Sequence, residues 1–131
     1  MKTLKIFTLV FSLFLLSSGV IAQTITTDVT ITDNCGTAGS YTVYAWVYCT
    51  SNSTNYCASP PAVLCTSCTT GTNSGLTFSC SVPLDSSHKI YEVKVHVVKN
   101  GVSTCTGNGV SLAYTTDDLY GITIPVSVTL H

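Results

Sequence analysis

Apolar and polar residues alternate along most of the chain after residue 22, which is the pattern of half-buried β-strands. In residues 23–32, Ile25, Val29 and Ile31 fall on one face, and threonines and one aspartate fall on the other. No stretch of ten residues has the three-and-four apolar spacing of a helix, so the pattern predicts an all-β fold. The other alternating segments are residues 76–82, 89–99, 110–114 and 122–130, and Tyr41–Cys49 is predicted as a strand that is apolar on both faces.

The strongest local signal is a predicted hairpin. Residues 89–99 alternate strictly and run into Asn100-Gly101, a dipeptide that accepts the positive φ angles of a type I′ turn. A two-residue turn sets the register of the two strands, and this register would place His96 opposite Cys105.

About seven short strands in one small chain are typical of a β-sandwich. We therefore expect an antiparallel, disulfide-stabilised β-sandwich of immunoglobulin-like size, with a small β-barrel as the alternative. Trp46 comes just before Cys49 and does not lie midway between two cysteines, so the resemblance is to an architecture and not to a family. Pro125 lacks an amide donor, which favours an edge position for the last strand. Residues 50–75 are polar and rich in turn residues, and we expect a long loop there.

Residues 1–22 have the pattern of a secretory signal peptide: two early lysines, an apolar run and a small-residue end. The apolar run is too short for a membrane span. The expected mature chain is therefore residues 23–131, one secreted or extracellular domain with no membrane span. The periplasm and a cell surface are the other locations that fit.

The composition narrows the classes of partner. Only 8% of residues are charged, the net charge is −1, and the chain has no arginine, so it lacks the cations that a nucleic-acid partner requires. A hydrophobic content of 45% also excludes a disordered chain.

Cysteines are the densest chemical feature of the chain. A secreted domain of this size is expected to use them in disulfides, because oxidising compartments favour these bonds. The pairing cannot be deduced, and an odd number leaves one thiol for burial or for a disulfide-linked dimer. Cys80 alternates with apolar residues and is expected to be buried, whereas Cys105 is expected to be exposed. The disulfide candidates are Cys35, Cys49, Cys57, Cys65, Cys68, Cys80 and Cys105.

Cys65 and Cys68 have the spacing of a redox or zinc motif. The residues that follow cannot propagate the helix that a redox thiol uses, and a zinc site would need a second pair of ligands. We therefore predict neither a metal nor a cofactor.

Tyr44, Trp46 and Tyr48 project from one face of a predicted strand. An exposed row of rings would form a platform for sugars. The alternative, which the apolar residues of the opposite face favour, is a central strand buried on both sides.

The chain has no nucleophile elbow, metalloprotease motif or phosphate loop, and its single glutamate is Glu92. We therefore expect a non-catalytic binding, adhesive or structural module that engages a protein or a cell surface. The alternatives are a carbohydrate-binding module and an inhibitor or effector that presents the loop of residues 50–75. Asn52 matches the glycosylation acceptor pattern, and the apolar final strand suggests a strand-swapped dimer.

Overall fold

A computed structural model describes residues 23–49, 60–81 and 90–131. The predicted signal peptide, Asn52 and Cys57 lie outside these residues. The described part of the chain forms seven strands and one short helix. In chain order these are β1 (Gln23–Asp33), β2 (Tyr41–Cys49), β3 (Ala62–Cys68), β4 (Gly71–Cys80), β5 (Tyr91–Lys99), β6 (Val102–Val110), α1 (Thr116–Gly121) and β7 (Thr123–Leu130).

The strands form two sheets, with orders β4-β1-β7 and β3-β2-β5-β6. Every pairing is antiparallel except that of β1 with β7, which is parallel. The predicted sandwich is confirmed. The alternative of a closed barrel is wrong.

The core lies between the sheets and is built from alternate residues of each strand. β-Branched and aromatic side chains pack well on a pleated surface, which explains why valines, isoleucines and tyrosines occupy these positions. β2 and β5 form the centre of the four-stranded sheet and are paired along their whole length, from Tyr41↔Lys99 to Cys49↔Tyr91. The largest fully buried side chains are Tyr41, Tyr91, Ile25, Ile31, Leu119, Ile124, Leu130, Val29, Val43, Val47, Val93 and Val95.

β6 and β7 meet at one side of the sandwich. A Cβ atom added to Gly107 would lie 2.3 Å from the carbonyl oxygen of Thr129, and one added to Gly109 would lie 2.4 Å from that of Ser127. Only glycine allows the two backbones to approach so closely. β7 is an edge strand of its own sheet, as Pro125 predicted, but its outer side lies against β6.

The expected loop of residues 50–75 is wrong over much of its length, because β3 and the first half of β4 lie there. Both strands are sheet edges, and most of their side chains face water, so no alternating pattern marks them. The turn between them is closed by Asn73, whose side chain accepts from the amide of Thr69 at 3.1 Å and donates to its carbonyl at 2.8 Å.

The predicted hairpin forms at Asn100-Gly101, but its register departs from the prediction. The pairing shifts between Val98 and Lys99, so that His96 faces Asn108 and not Cys105. The irregularity turns Cys105 inward.

The chain beyond β6 also differs from the prediction. β6 continues through its glycines to Val110, and residues 111–115 form a loop where a separate strand was expected. Tyr114 forms an isolated bridge with Tyr91 in this loop. Helix α1 was not predicted, because six residues with one buried side chain, Leu119, are too short to show a helical period.

Candidate functional site

Tyr44, Trp46 and Tyr48 lie on the outer face of the four-stranded sheet, which we call the aromatic face. Their neighbours in sequence point into the core and are almost completely buried. Tyr48 is 43% exposed, and Tyr44 and Trp46 are half-buried. The expectation that β2 is buried on both sides is therefore wrong: β2 is a central strand, but only one of its faces packs against the other sheet.

Strand β5 supplies the polar neighbours of these rings. The Tyr44 ring lies 6.2 Å from the His96 ring, tilted by 32°, and His96 Nδ1 donates to Asn108 Oδ1 at 2.8 Å. Lys94 lies opposite Trp46 in the register and places its Nζ 4.1 Å from the centre of the Tyr48 ring. These contacts hold the rings in place on the sheet.

None of Tyr44 Oη, Trp46 Nε1 and Tyr48 Oη makes a hydrogen bond to another residue of the described chain. Tyr44 and Trp46 are half-buried and Lys94 lies over the Tyr48 ring, so the rings offer a ligand partly exposed apolar surface together with polar atoms that no described residue bonds.

A shallow depression of about 390 Å³ adjoins the aromatic face at the Asn100-Gly101 turn. Its lining includes Tyr44, Thr42 and Ser103. Thr42 donates to Asn100 Oδ1 at 2.7 Å, and the Asn100 amide donates to Ser40 Oγ and to the carbonyl of Thr66. These hydrogen bonds fix the side chain of Asn100, which lines the depression.

The outer face of the three-stranded sheet has a different chemistry. It consists mainly of threonines and serines, and Thr77, Thr26 and Thr123 lie side by side in one row. In another row, Thr30 and Thr72 share a hydrogen bond of 2.9 Å. The two outer faces of the sandwich therefore differ, and aromatic rings line only one of these two faces within the described chain.

A buried ion pair joins the two sheets at the end of the sandwich where β1 and β5 finish. Lys99 Nζ lies 2.8 Å from Asp33 Oδ2, and the two side chains are only 6% and 3% exposed. Asp33 Oδ2 also accepts from the Tyr41 hydroxyl, and Oδ1 accepts from the Cys35 amide at 2.7 Å. Lys99 donates in addition to the carbonyl of Thr37.

These hydrogen bonds shift the pKa values of Asp33 and Tyr41. The hydrogen bond from Lys99, followed by those from Tyr41 and from the Cys35 amide, lowers the pKa of Asp33 to about 2. Burial, followed by the hydrogen bond to Asp33, raises the pKa of Tyr41. The cluster is thus committed to internal bonds, which indicates a structural role.

Two disulfides lie among the described residues. One joins Cys35, between β1 and β2, to Cys105 in β6, and the other joins Cys65 to Cys68 within β3. The expected exposure of Cys105 is therefore wrong: it is 2% exposed and bonded. Cys49 and Cys80 are buried, as predicted for Cys80.

The remaining sequence-derived candidates are redox and metal sites. Cys65 and Cys68 lie on an edge strand and are bonded to each other, not at a helix N-terminus where a reactive thiol is favoured. Asp33, Cys35 and Cys105 place ligand-type atoms within 4.8 Å of one another. Both sulfurs belong to a disulfide and the carboxylate is already paired, so this group offers no thiolate to a metal.

No helix among residues 23–49, 60–81 and 90–131 is long and apolar enough to cross a membrane. The chain matches no protein-family model, no curated protein and no solved structure with which it was compared.

Proposed function

We propose that this protein is a secreted, non-catalytic binding module that contacts a partner at an extracellular surface with its aromatic face. The observation that carries the proposal is the row of Tyr44, Trp46 and Tyr48 on a sheet face that no described element covers. Tyrosine and tryptophan are the residues that contribute most to binding interfaces, because one rigid side chain offers both apolar area and a hydrogen-bonding atom.

The disulfides and the leader support an extracellular setting. The Cys35–Cys105 and Cys65–Cys68 bonds fit an oxidising compartment. Residues 1–22 have the composition of a cleaved signal peptide.

The burial of the ion pair supports a non-catalytic role for Asp33 and Lys99. Asp33 and Lys99 form the buried ion pair, and both are held by internal hydrogen bonds. A general acid or base must reach its substrate, and neither of these groups is accessible.

Position-specific photo-crosslinking on the producing cells tests the proposal. A p-benzoylphenylalanine in place of Tyr48 puts the reactive group on the aromatic face, and the same group in place of Thr24 puts it on the outer face of the three-stranded sheet. We expect ultraviolet light to give a crosslinked adduct from position 48 and none from position 24. Equal adducts from both positions, or none from position 48, would refute the assignment of this face.

A further inference from the structure

We infer that the partner of the aromatic face is an uncharged polysaccharide chain that lies along β2 and reaches the depression at the Asn100-Gly101 turn. The inference rests on the proposed function, because it names the ligand class for the same face. It draws on three features of the face: the spacing of the rings, the balance of charge and the polar atoms around the rings.

The rings form a single file whose length suits a short run of sugars. Alternate residues of a strand are about 6.7 Å apart, so Tyr44 and Tyr48 are separated by about 13 Å. A sugar ring presents C–H bonds on its faces and hydroxyl groups around its edge. A row of partly exposed aromatic rings offers apolar surface on which the C–H faces of sugars can stack.

The charge of the face favours an uncharged ligand. Glu92 and Lys94 lie next to each other on the outer side of β5 and balance in charge. The ammonium group of Lys94 is held over the Tyr48 ring at 4.1 Å. A phosphate-rich or carboxylate-rich chain would need a cluster of free cations, and the chain has no arginine.

The polar atoms lie where sugar hydroxyls would meet them. Tyr44 Oη, Trp46 Nε1 and Tyr48 Oη lie along the row and make no hydrogen bond to another residue of ranges 23–49, 60–81 and 90–131. The other ring nitrogen of His96 takes no part in the bond to Asn108 and is a group that can hydrogen-bond a sugar hydroxyl. Ser103 adds a hydroxyl in the depression, whose volume falls in the range of small-ligand sites.

The face opposite provides a contrast within the same molecule. Threonine rows such as Thr77, Thr26 and Thr123 offer hydroxyls but no stacking surface. Within the described residues, stacking surface and hydrogen-bonding groups occur together on the aromatic face, and both are needed to select sugars.

Affinity electrophoresis of the intact, disulfide-bonded protein tests the inference. Native gels contain one soluble polysaccharide each: hydroxyethylcellulose, xylan, glucomannan or laminarin as neutral chains, and alginate as an acidic chain. We expect at least one neutral chain to retard the protein and alginate to leave its mobility unchanged. Retardation by none of the four neutral chains, or by alginate alone, would overturn the inference.

Three variants show whether binding occurs at this face. Trp46→Ala should weaken binding by about tenfold or more, because an aromatic residue at the centre of an interface contributes much of the binding energy. Trp46→Phe keeps an aromatic ring, so its affinity should stay within about threefold of the wild type. Ile122→Ala removes an apolar side chain that is 45% exposed and lies between α1 and β7, next to the three-stranded sheet, so it should bind like the wild type. Urea unfolding of each variant confirms that it is folded. Equal retardation of Trp46→Ala and the wild type would overturn the inference.

The two proposals fail in distinguishable ways. If no polysaccharide retards the protein while the crosslinker at position 48 captures a protein of defined mass, the ligand class is wrong and the binding face is right. If the crosslinker also gives no adduct at position 48, both are wrong.

Discussion

The substitution Gly107→Ala tests the contact between β6 and β7, which closes one side of the sandwich. A Cβ at this position would lie 2.3 Å from the carbonyl oxygen of Thr129 and 2.9 Å from Val128 Cγ1. Ordinary contacts between these atoms require more than 3 Å. The oxygen belongs to the backbone of β7, so no side-chain rotation can relieve the overlap.

The size of the effect follows from two opposing terms. Inserting one methyl group into a well-packed region costs about 1–3 kcal/mol, and a clash with backbone belongs at the upper end of that range. Replacing glycine by alanine also restricts the unfolded chain, which returns about 0.4–1 kcal/mol. We therefore expect Gly107→Ala to lower the free energy of unfolding by about 2 kcal/mol, which for a domain of this size lowers Tm by about 10 °C.

The matched control is Gly121→Ala. Gly121 is the last residue of α1, and a Cβ there would meet nothing within 4 Å. The same change of residue type should therefore leave the stability unchanged or raise it slightly, since alanine favours helices more than glycine does.

Urea unfolding of the oxidised protein, followed by the fluorescence of its single tryptophan, measures both variants. The slope of the free energy against urea should stay the same while the midpoint falls for Gly107→Ala alone. A Gly107→Ala protein as stable as the wild type, or one no less stable than Gly121→Ala, would show that β6 and β7 do not meet at the observed distance.

Three further outcomes are expected. The wild type should lose stability as the pH falls from about 4 to about 2, because the pKa of Asp33 is about 2 in the folded protein and 3.8 ordinarily. In urea titrations across this pH range, Asp33→Asn should lose less stability than the wild type. The surface variant Asp117→Asn should lose as much as the wild type. Replacing Cys35 and Cys105 together by alanine opens a bond between residues 70 apart and should cost about 4 kcal/mol by loop entropy, and urea unfolding that shows no loss would contradict this pairing. Iodide should quench the emission of Trp46, and a blue-shifted, unquenched spectrum would contradict the exposure of the aromatic face.

The strands that form the centre of the four-stranded sheet were predictable because one of their faces is buried along the whole length. In β2 and β5 every second residue is a core position. In β5 the outer positions are mostly polar, so the sequence alternates in polarity, whereas β2 was predicted as a strand from its run of aromatic and β-branched residues. The turn at Asn100-Gly101 was predictable for a local reason, since Gly101 has a φ of 79°, which glycine adopts without strain.

The same pattern did not predict β3, the first half of β4 or the hairpin register. β3 and the first half of β4 bury few side chains, so nothing forces their residues to alternate in polarity. The register of β5 with β6 depends on turning Cys105 inward towards Cys35. A bond between residues so far apart in the chain leaves no local signal.

The ion pair was missed, although the sequence carries a signal for it. Lys99 continues the inward series of Tyr91, Val93, Val95 and Val97, and the inward series of β1 ends at Asp33. Two opposite charges on core positions at the ends of strands in facing sheets predict a buried pair, because an unpaired charge would not be tolerated there. The inward-facing position of each residue could be predicted from the sequence, whereas the geometry of their contact could not.

The contrast between the outer faces bears on why the aromatic residues are there. β1 shows that threonines are sufficient to build the exposed side of a central strand in this molecule, because its outer positions are mostly threonine. Cross-strand pairs such as Tyr44 with His96 contribute only about 0.2–1 kcal/mol each, which threonine pairs can also supply. Stability alone therefore does not account for three rings on the outer face of β2 whose polar atoms make no hydrogen bond to another described residue. The proposed binding role accounts for them, because a partner that covers the rings would bury their apolar area and satisfy the polar atoms at the same time.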